Sequence, residues 1–157
     1  MTEEKVVLVD KYDKQIGLMP KMEAHQKGIL HRAFSIFIFN SENQILLQKR
    51  SSSKYHSGGL WTNTCCSHPR DGEDIIDAAS RRLSEEMGIK TDLKLAFNFT
   101  YRAELENGLI EHEFDHVLIG EFNGLPILNR DEAEDWKWIS IEDLRKDIKE
   151  NETDYTC

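Results

Sequence analysis

Between Trp61 and Ile89 the chain reads WTNTCCSHPRDGEDIIDAASRRLSEEMGI, a polar loop that turns at Pro69-Arg70-Asp71-Gly72 straight into a helix. Ile76, Ala79, Leu83 and Met87 recur at spacings of three and four, which predicts a helix over Asp74–Met87 with one apolar stripe. Gly88 is a suitable C-cap for it. Ile75, Ala78, Arg82 and Glu86 form the adjoining stripe, so Arg82 and Glu86 sit at the edge of the buried face and not on the solvated side. The loop before the helix carries Cys65, Cys66 and His68. Thiol, imidazole and carboxylate within one loop–helix unit are a catalytic inventory.

The rest of the chain supplies the layer that such a stripe needs. Residues 5–9 (KVVLV) read as a strand, Asp10 to Gly17 as a turn-rich link, and Gly17–Lys21 as a second short strand ahead of Met22-Glu23-Ala24-His25. Pro20 lacks a backbone donor and suits a loop or a sheet edge. HRAFSIFIF from His31 is rich in aromatic and β-branched residues and predicts a strong strand, with Gln44–Arg50 returning as the second arm of a hairpin. Leu93–Arg102, a Glu106-Asn107-Gly108 turn and Leu109–Gly120 predict a further hairpin. Residues 134–140 give another strand, and Ser140 caps a final helix over Ile141–Glu150. Strands with two inserted helices predict an α+β fold, a mixed β-sheet packed between helices in a single domain.

A chain of 157 residues with a formal charge of -9 is of one-domain size, and it lacks the basic face that nucleic acid or an anionic membrane requires. The acidic N-terminus MTEEKVVLVD does not read as a signal peptide, and the apolar runs are too short to span a bilayer, which predicts a cytoplasmic location. Three cysteines, two of them adjacent, do not make a disulfide framework and read as free thiols.

Taken singly, His25, His31 and His68 read as hydrogen-bonded structural residues. Alternation along LIEHEFDHVLIG puts Glu111, Glu113 and Asp115 on one face, with His112, Phe114 and His116 on the other. Two same-face carboxylates repel and call for a cation. Three imidazoles with Glu111 and Glu113 would suit a divalent ion with five or six ligands, Mn2+, Mg2+ or Zn2+. The alternative is a solvated acidic strand edge. Lys21, Arg50, Lys54 and Arg82 flank the same segments; each alone is a surface charge, and together they are what a diphosphate needs. Cys66, two residues from His68 in a loop that follows Lys54, Tyr55 and His56, is the candidate reactive thiol.

WTNTCCSHP, with HRAFS upstream and TYRAE and IEHE downstream, closely resembles the type I isopentenyl-diphosphate Δ-isomerases, a branch of the Nudix fold. The resemblance runs from about residue 5 to the end of the sequence. Aligned on Gly88, the Nudix signature falls on Ser67, Glu73, Arg81, Arg82, Leu83, Glu85, Glu86, Gly88 and Ile89. Ser67 replaces a glycine, and Arg82 replaces a glutamate that holds metal in hydrolases. An arginine there suits holding a diphosphate intact.

What the resemblance implies is an isomerase that interconverts isopentenyl and dimethylallyl diphosphate by a metal-dependent 1,3-proton shift. It implies Cys66, Glu113 and Tyr101 as catalytic residues, with Cys65 as packing. It implies His25, His31, His68, Glu111 and Glu113 around one divalent ion, Glu86 on a Mg2+ bridged to the diphosphate, and Lys21, Arg50, Lys54 and Arg82 on the diphosphate itself. The partner is a small prenyl diphosphate, and the protein is expected to be a monomer or weak dimer. Competing readings are a Nudix hydrolase of a nucleoside diphosphate derivative and a catalytically weak diphosphate binder. The weak-binder reading comes from the C-terminus: the family continues with an aromatic-rich helix whose tryptophan covers the substrate. The expectation here is one domain over residues 1–157 without that helix, since Trp61, Trp136 and Trp138 do not occupy its position.

Overall fold

The computed structural model describes residues 4–54 and 56–156; Tyr55 of the polar loop and the terminal Cys157 lie outside them. In chain order the elements are β1 (Lys5–Val9), β2 (Gln15–Pro20), α1 (Lys21–Lys27), β3 (His31–Phe39), β4 (Gln44–Arg50), β5 (Trp61–Thr62), β6 (Cys65–Ser67), α2 (Ile75–Met87), β7 (Lys94–Glu104), β8 (Ile110–Glu121), β9 (Ala133–Ser140) and α3 (Ile141–Glu150). The strands form one nine-stranded mixed sheet. This is the α+β architecture expected from the sequence, with three α-helices among the described residues where two were expected.

The extra helix, α1, follows Pro20 with no side-chain cap and ends on Gly28, whose φ is 69°. Seven residues are too few to be stable without packing. What holds α1 is the burial of Ala24 and His25. Helix α2 behaves as its stripe requires: Ala78, Ala79, Leu83 and Met87 are buried against Phe34, Ile36, Ile38, Leu46 and Leu118 of the sheet. Each such large apolar side chain contributes roughly 1.5–3 kcal/mol by leaving water. Asp74 caps α2 by accepting from the Ile76 and Asp77 amides, and Ser140 caps α3 by accepting from Asp143.

Strand pairing sets the site. β3 runs parallel to β8 over nine registered pairs, beginning with His31 beside Glu113. β7 returns antiparallel on the far side of β8 and brings Tyr101 level with the same Glu113. β6 pairs with β3 so that Cys66 lies opposite Ser35. The expected β3–β4 hairpin is registered only at Phe39–Ile45, because β4 takes β9 as its long partner and β3 takes β8 and β6. β2 also starts at Gln15, inside the stretch expected to be a turn-rich link. Among the described residues no helix is long and apolar enough to cross a membrane.

Candidate active site

A pocket of about 540 Å3 opens between α1, the loop after β4, β6, α2 and the β7–β8 pair. Lys21, Arg50, Lys54, Arg82, Glu86, Cys66, Tyr101, Glu111 and Glu113 all line it. Residues spread over most of the chain therefore meet in one cavity.

At its floor His25, His31, His68 and Glu113 bring one potential ligand atom each to within 4.8 Å of one another, all four residues buried. The Nδ1 atoms of His25 and His31 lie 2.8 Å from the Lys21 and Ile29 carbonyls. Donation to these oxygens leaves both Nε2 lone pairs facing inward, the arrangement that prepares histidine for a metal. His31 Nε2 and His68 Nε2 stand 3.3 Å apart, and each faces Glu113 Oε2, at 3.3 and 2.9 Å. Nitrogen lone pairs converging on one carboxylate fit a divalent cation, and the donor set suits Mn2+ or Zn2+ better than Mg2+. Burial lowers His68 to about 4, against the pull of Glu113. Burial would raise Glu113, but the His31 and His68 imidazoles set against its Oε2 hold it well below the ordinary carboxylate range.

Glu111 stands apart from that group of four. Its candidate ligand partners are His25 and His56, and it shares the Tyr101 hydroxyl with Glu113. Tyr101 Oη donates to Glu113 Oε1 at 2.6 Å and lies 3.3 Å from Glu111 Oε2. Burial and the neighbouring Glu113 push Glu111 up to about 7. A solvated acidic strand edge is ruled out, since β8 lies between β3 and β7 with Glu113 and Asp115 buried.

Cys66 opens onto the pocket. Its Sγ donates to Asn63 Oδ1 at 2.8 Å and lies 3.6 Å from Ser35 Oγ, which itself donates to Asp115 Oδ2 at 2.6 Å. Asn63 is held by its own amide, whose Nδ2 donates to the Ile36 and Cys65 carbonyls and so aims Oδ1 at the sulfur. Crowding by protein atoms and the nearby Asp115 charge push the thiol up to about 12. Cys65 is fully buried, with its thiol 3.4 Å from Glu86 Oε2, in keeping with a packing role.

The cationic end is built from α2 and the loop after β4. Arg82 Nη2 donates to Glu86 Oε2 at 2.8 Å and approaches Glu132 at 3.3 Å, while Lys54 is paired with Glu132. Arg50 Nη2 donates to the His56 carbonyl at 3.3 Å, and its buried Nε has no hydrogen-bond partner among the described residues. The other signature residues serve the scaffold: Arg81 donates to both oxygens of Glu73, at 2.8 and 2.9 Å, and to Glu85 at 2.9 Å, clamping the turn to α2 outside the pocket. Sequence reasoning did not single out Asn63, Ser35 or His56. The one available signal was the polar character of the loops that hold Asn63 and His56; Ser35 is a polar residue within β3. The C-terminal segment is tied to the rim, with Thr156 N donating to Trp61 O at 3.0 Å and Thr156 lining the pocket.

The NUDIX domain family model matches residues 29–156. Isopentenyl-diphosphate Delta-isomerase 1 of Aromatoleum aromaticum is 57% identical over 98% of this chain and 87% of its own length. Isopentenyl-diphosphate Delta-isomerase 2 of the same organism is 54% identical over 98% of this chain and 82% of its own. The isomerase of Serratia proteamaculans is 50% identical over 98% of this chain and 86% of its own. Among solved structures, DR0079 from Deinococcus radiodurans aligns with a TM-score of 0.78 at 19% identity, over 94% of this chain and 90% of that one, which speaks to fold alone. The chain belongs to the Nudix family and, within it, to the isopentenyl-diphosphate Δ-isomerases.

Proposed function

We propose that the pocket moves the double bond of isopentenyl diphosphate to give dimethylallyl diphosphate, with Cys66 serving one face of the alkene and Glu113, supported by Tyr101, the other. The observation that carries this reading is that a thiol and a histidine-bound carboxylate share one cavity with four cationic side chains. A 1,3-proton shift needs a donor on one face and an acceptor on the other. Protonation of the terminal methylene leaves a tertiary carbocation. Loss of a proton from the carbon on the diphosphate side then closes the new double bond. Phe99 and Tyr101, stacked at 5.6 Å, give that cation aromatic faces, and Glu111, Glu113 and Asp115 give it a negative field.

Lys21, Arg50, Lys54 and Arg82 would hold the diphosphate, and Glu86 would hold the Mg2+ that accompanies it. Arg50 supports this: it lines the pocket, and its buried Nε has no acceptor among the described residues. His25, His31, His68 and Glu113, with Glu111 beside them, would hold a divalent ion, Mn2+, Zn2+ or Mg2+. When bound, that ion would supply positive charge that keeps Glu113 ionised and oriented. Because Arg82 stands where a hydrolase places a carboxylate, the site is suited to keep the phosphoanhydride bond. We place the work of this chain in the cytoplasm, as a monomer or weak dimer acting on a small prenyl diphosphate and not on nucleic acid. The charge of -9 supports the last point.

Incubation of the purified protein with isopentenyl diphosphate and Mg2+, followed by proton NMR, tests the reading. The expected product is the allylic isomer with no phosphate released. Phosphate release without isomer would favour a hydrolase. Bound substrate with neither product would favour a non-catalytic binder.

A further inference from the structure

We propose that His56 is a further ligand of the buried ion, which makes the site a four-imidazole centre. The inference rests on, and deepens, the reading of His25, His31, His68 and Glu113 as a metal site.

Two groups of potential ligands occur among the described residues: the four just named, and His25 with His56 and Glu111. In each group the ligand atoms lie within 4.8 Å of one another. Opposite ligands of an ion with bonds near 2.1 Å are about 4.2 Å apart, so each group is of the size that one ion spans. Both groups use His25. Its Nδ1 is committed to the Lys21 carbonyl at 2.8 Å, which leaves only Nε2 with its single lone pair. One such nitrogen binds one ion. An ion held by His25 therefore has both groups around it. Because the six atoms do not all lie within 4.8 Å of one another, taking His56 as a ligand draws the two sets together.

The rings agree with this. From the His25 centroid, those of His31, His56 and His68 lie at 5.2, 5.7 and 5.9 Å, so His56 is no more remote than an accepted member. His56 is only 7% exposed although it sits on a loop. Its main chain is anchored through its carbonyl to Arg50 Nη2 and through Ser57 N, which donates to Glu106 Oε1 at 2.6 Å. Ser57 itself adopts a φ of 52°, a left-handed conformation that costs a non-glycine residue energy and that the loop sustains. His56, Glu111 and the first four make six donors. Four nitrogens among six favour Zn2+, Co2+ or Ni2+ over Mg2+.

The test is Co2+ binding to metal-free protein in the presence of excess Mg2+, read by metal content after dialysis and by the visible Co2+ spectrum. Wild type, His56→Ala, His56→Gln, His31→Ala and His112→Ala are compared, the last removing a β8 histidine that bonds the Gly28 carbonyl instead. His56→Ala and His56→Gln are expected to weaken Co2+ at least about tenfold and to alter its spectrum, with His112→Ala unchanged. His56→Gln keeps side-chain volume and a polar group, so it reads the ligand role should His56→Ala fold poorly. Wild-type affinity and spectrum in a folded His56 variant, with Co2+ lost in His31→Ala, would overturn the role of His56 and leave the metal site standing. Failure of wild type to take up Co2+ would overturn both.

Discussion

Replacing Gly88 with alanine should damage the fold and the pocket together, and the damage can be divided into two parts. Gly88 ends α2 at φ 65°, and a Cβ there would lie 2.8 Å from both Cβ and the carbonyl oxygen of Ile127. The left-handed conformation costs an L-residue about 1–2 kcal/mol. The loss of unfolded-chain entropy returns about 0.4–1 kcal/mol of it. Overpacking against backbone, which cannot swing away, adds about 1–3 kcal/mol. Gly72 separates the two contributions, because its φ is 75° but nothing lies within 4 Å of where a methyl would sit. Gly72→Ala should cost only the conformational part, about 0–1.6 kcal/mol. Gly88→Ala should cost about 1–4.6 kcal/mol, always more than Gly72→Ala by the steric part, and lower Tm by roughly 2–18 °C for a chain of this size. Ile127 N donates to the Met87 carbonyl and Asn129 N to that of Glu86, so the push also reaches Glu132 and its partners Lys54 and Arg82. KM for isopentenyl diphosphate should rise as well. Urea unfolding followed by the emission of Trp136 and Trp138, which pack on the core, measures the first effect. Equal losses in the two variants would refute the steric contribution of Ile127.

Cys66→Ala and Glu113→Gln should each lower kcat by at least about 100-fold, the smallest contribution expected of a positioned proton donor or acceptor, while far-ultraviolet dichroism stays native. Wild-type rates in either would sink the assignment. Arg82→Leu removes the partner of Glu86 and Glu132 and should raise KM for isopentenyl diphosphate roughly 10- to 100-fold, the worth of one charge-assisted contact, without releasing phosphate. Glu73 is held below its ordinary value, first by the hydrogen bonds from Arg81, so its contribution is present above about pH 4.3 and is lost as pH falls through its folded-state value. Glu73→Gln should therefore cost about 0.5–1 kcal/mol at pH 7, and urea midpoints of mutant and wild type should converge in acid.

Helix α2 was legible because its apolar stripe, Asp74 and Gly88 all agree on one element. The faces of β8 were legible from alternation alone, which set Glu111, Glu113 and Asp115 together. Helix α1 left no such trace: seven residues after a proline show no stripe, and yet this helix delivers Lys21 and His25. The parallel β3–β8 pairing is equally silent, since His31 and Glu113 become neighbours through a register that no local pattern encodes. Spacing alone therefore left the histidines as ordinary structural residues. Residue types offered a joint site for them with Glu111 and Glu113, and the resemblance of WTNTCCSHP and IEHE favoured it over a solvated strand edge. The structure showed the buried cluster formed by the three histidines and Glu113. Asn63 and His56 carry no role in the sequence because their importance lies in what their side chains meet, the Cys66 sulfur and the His25 ring.

A reaction run in D2O tests the proton path through Cys66 and Glu113 most directly. A thiol or carboxyl proton exchanges with solvent between turnovers, so the allylic diphosphate should carry deuterium at the carbon that was the terminal methylene, with both phosphates retained. Wild type should give that product, and Cys66→Ala and Glu113→Gln should give almost none. Release of inorganic phosphate in place of a deuterated isomer, or undiminished labelling in both variants, would contradict it.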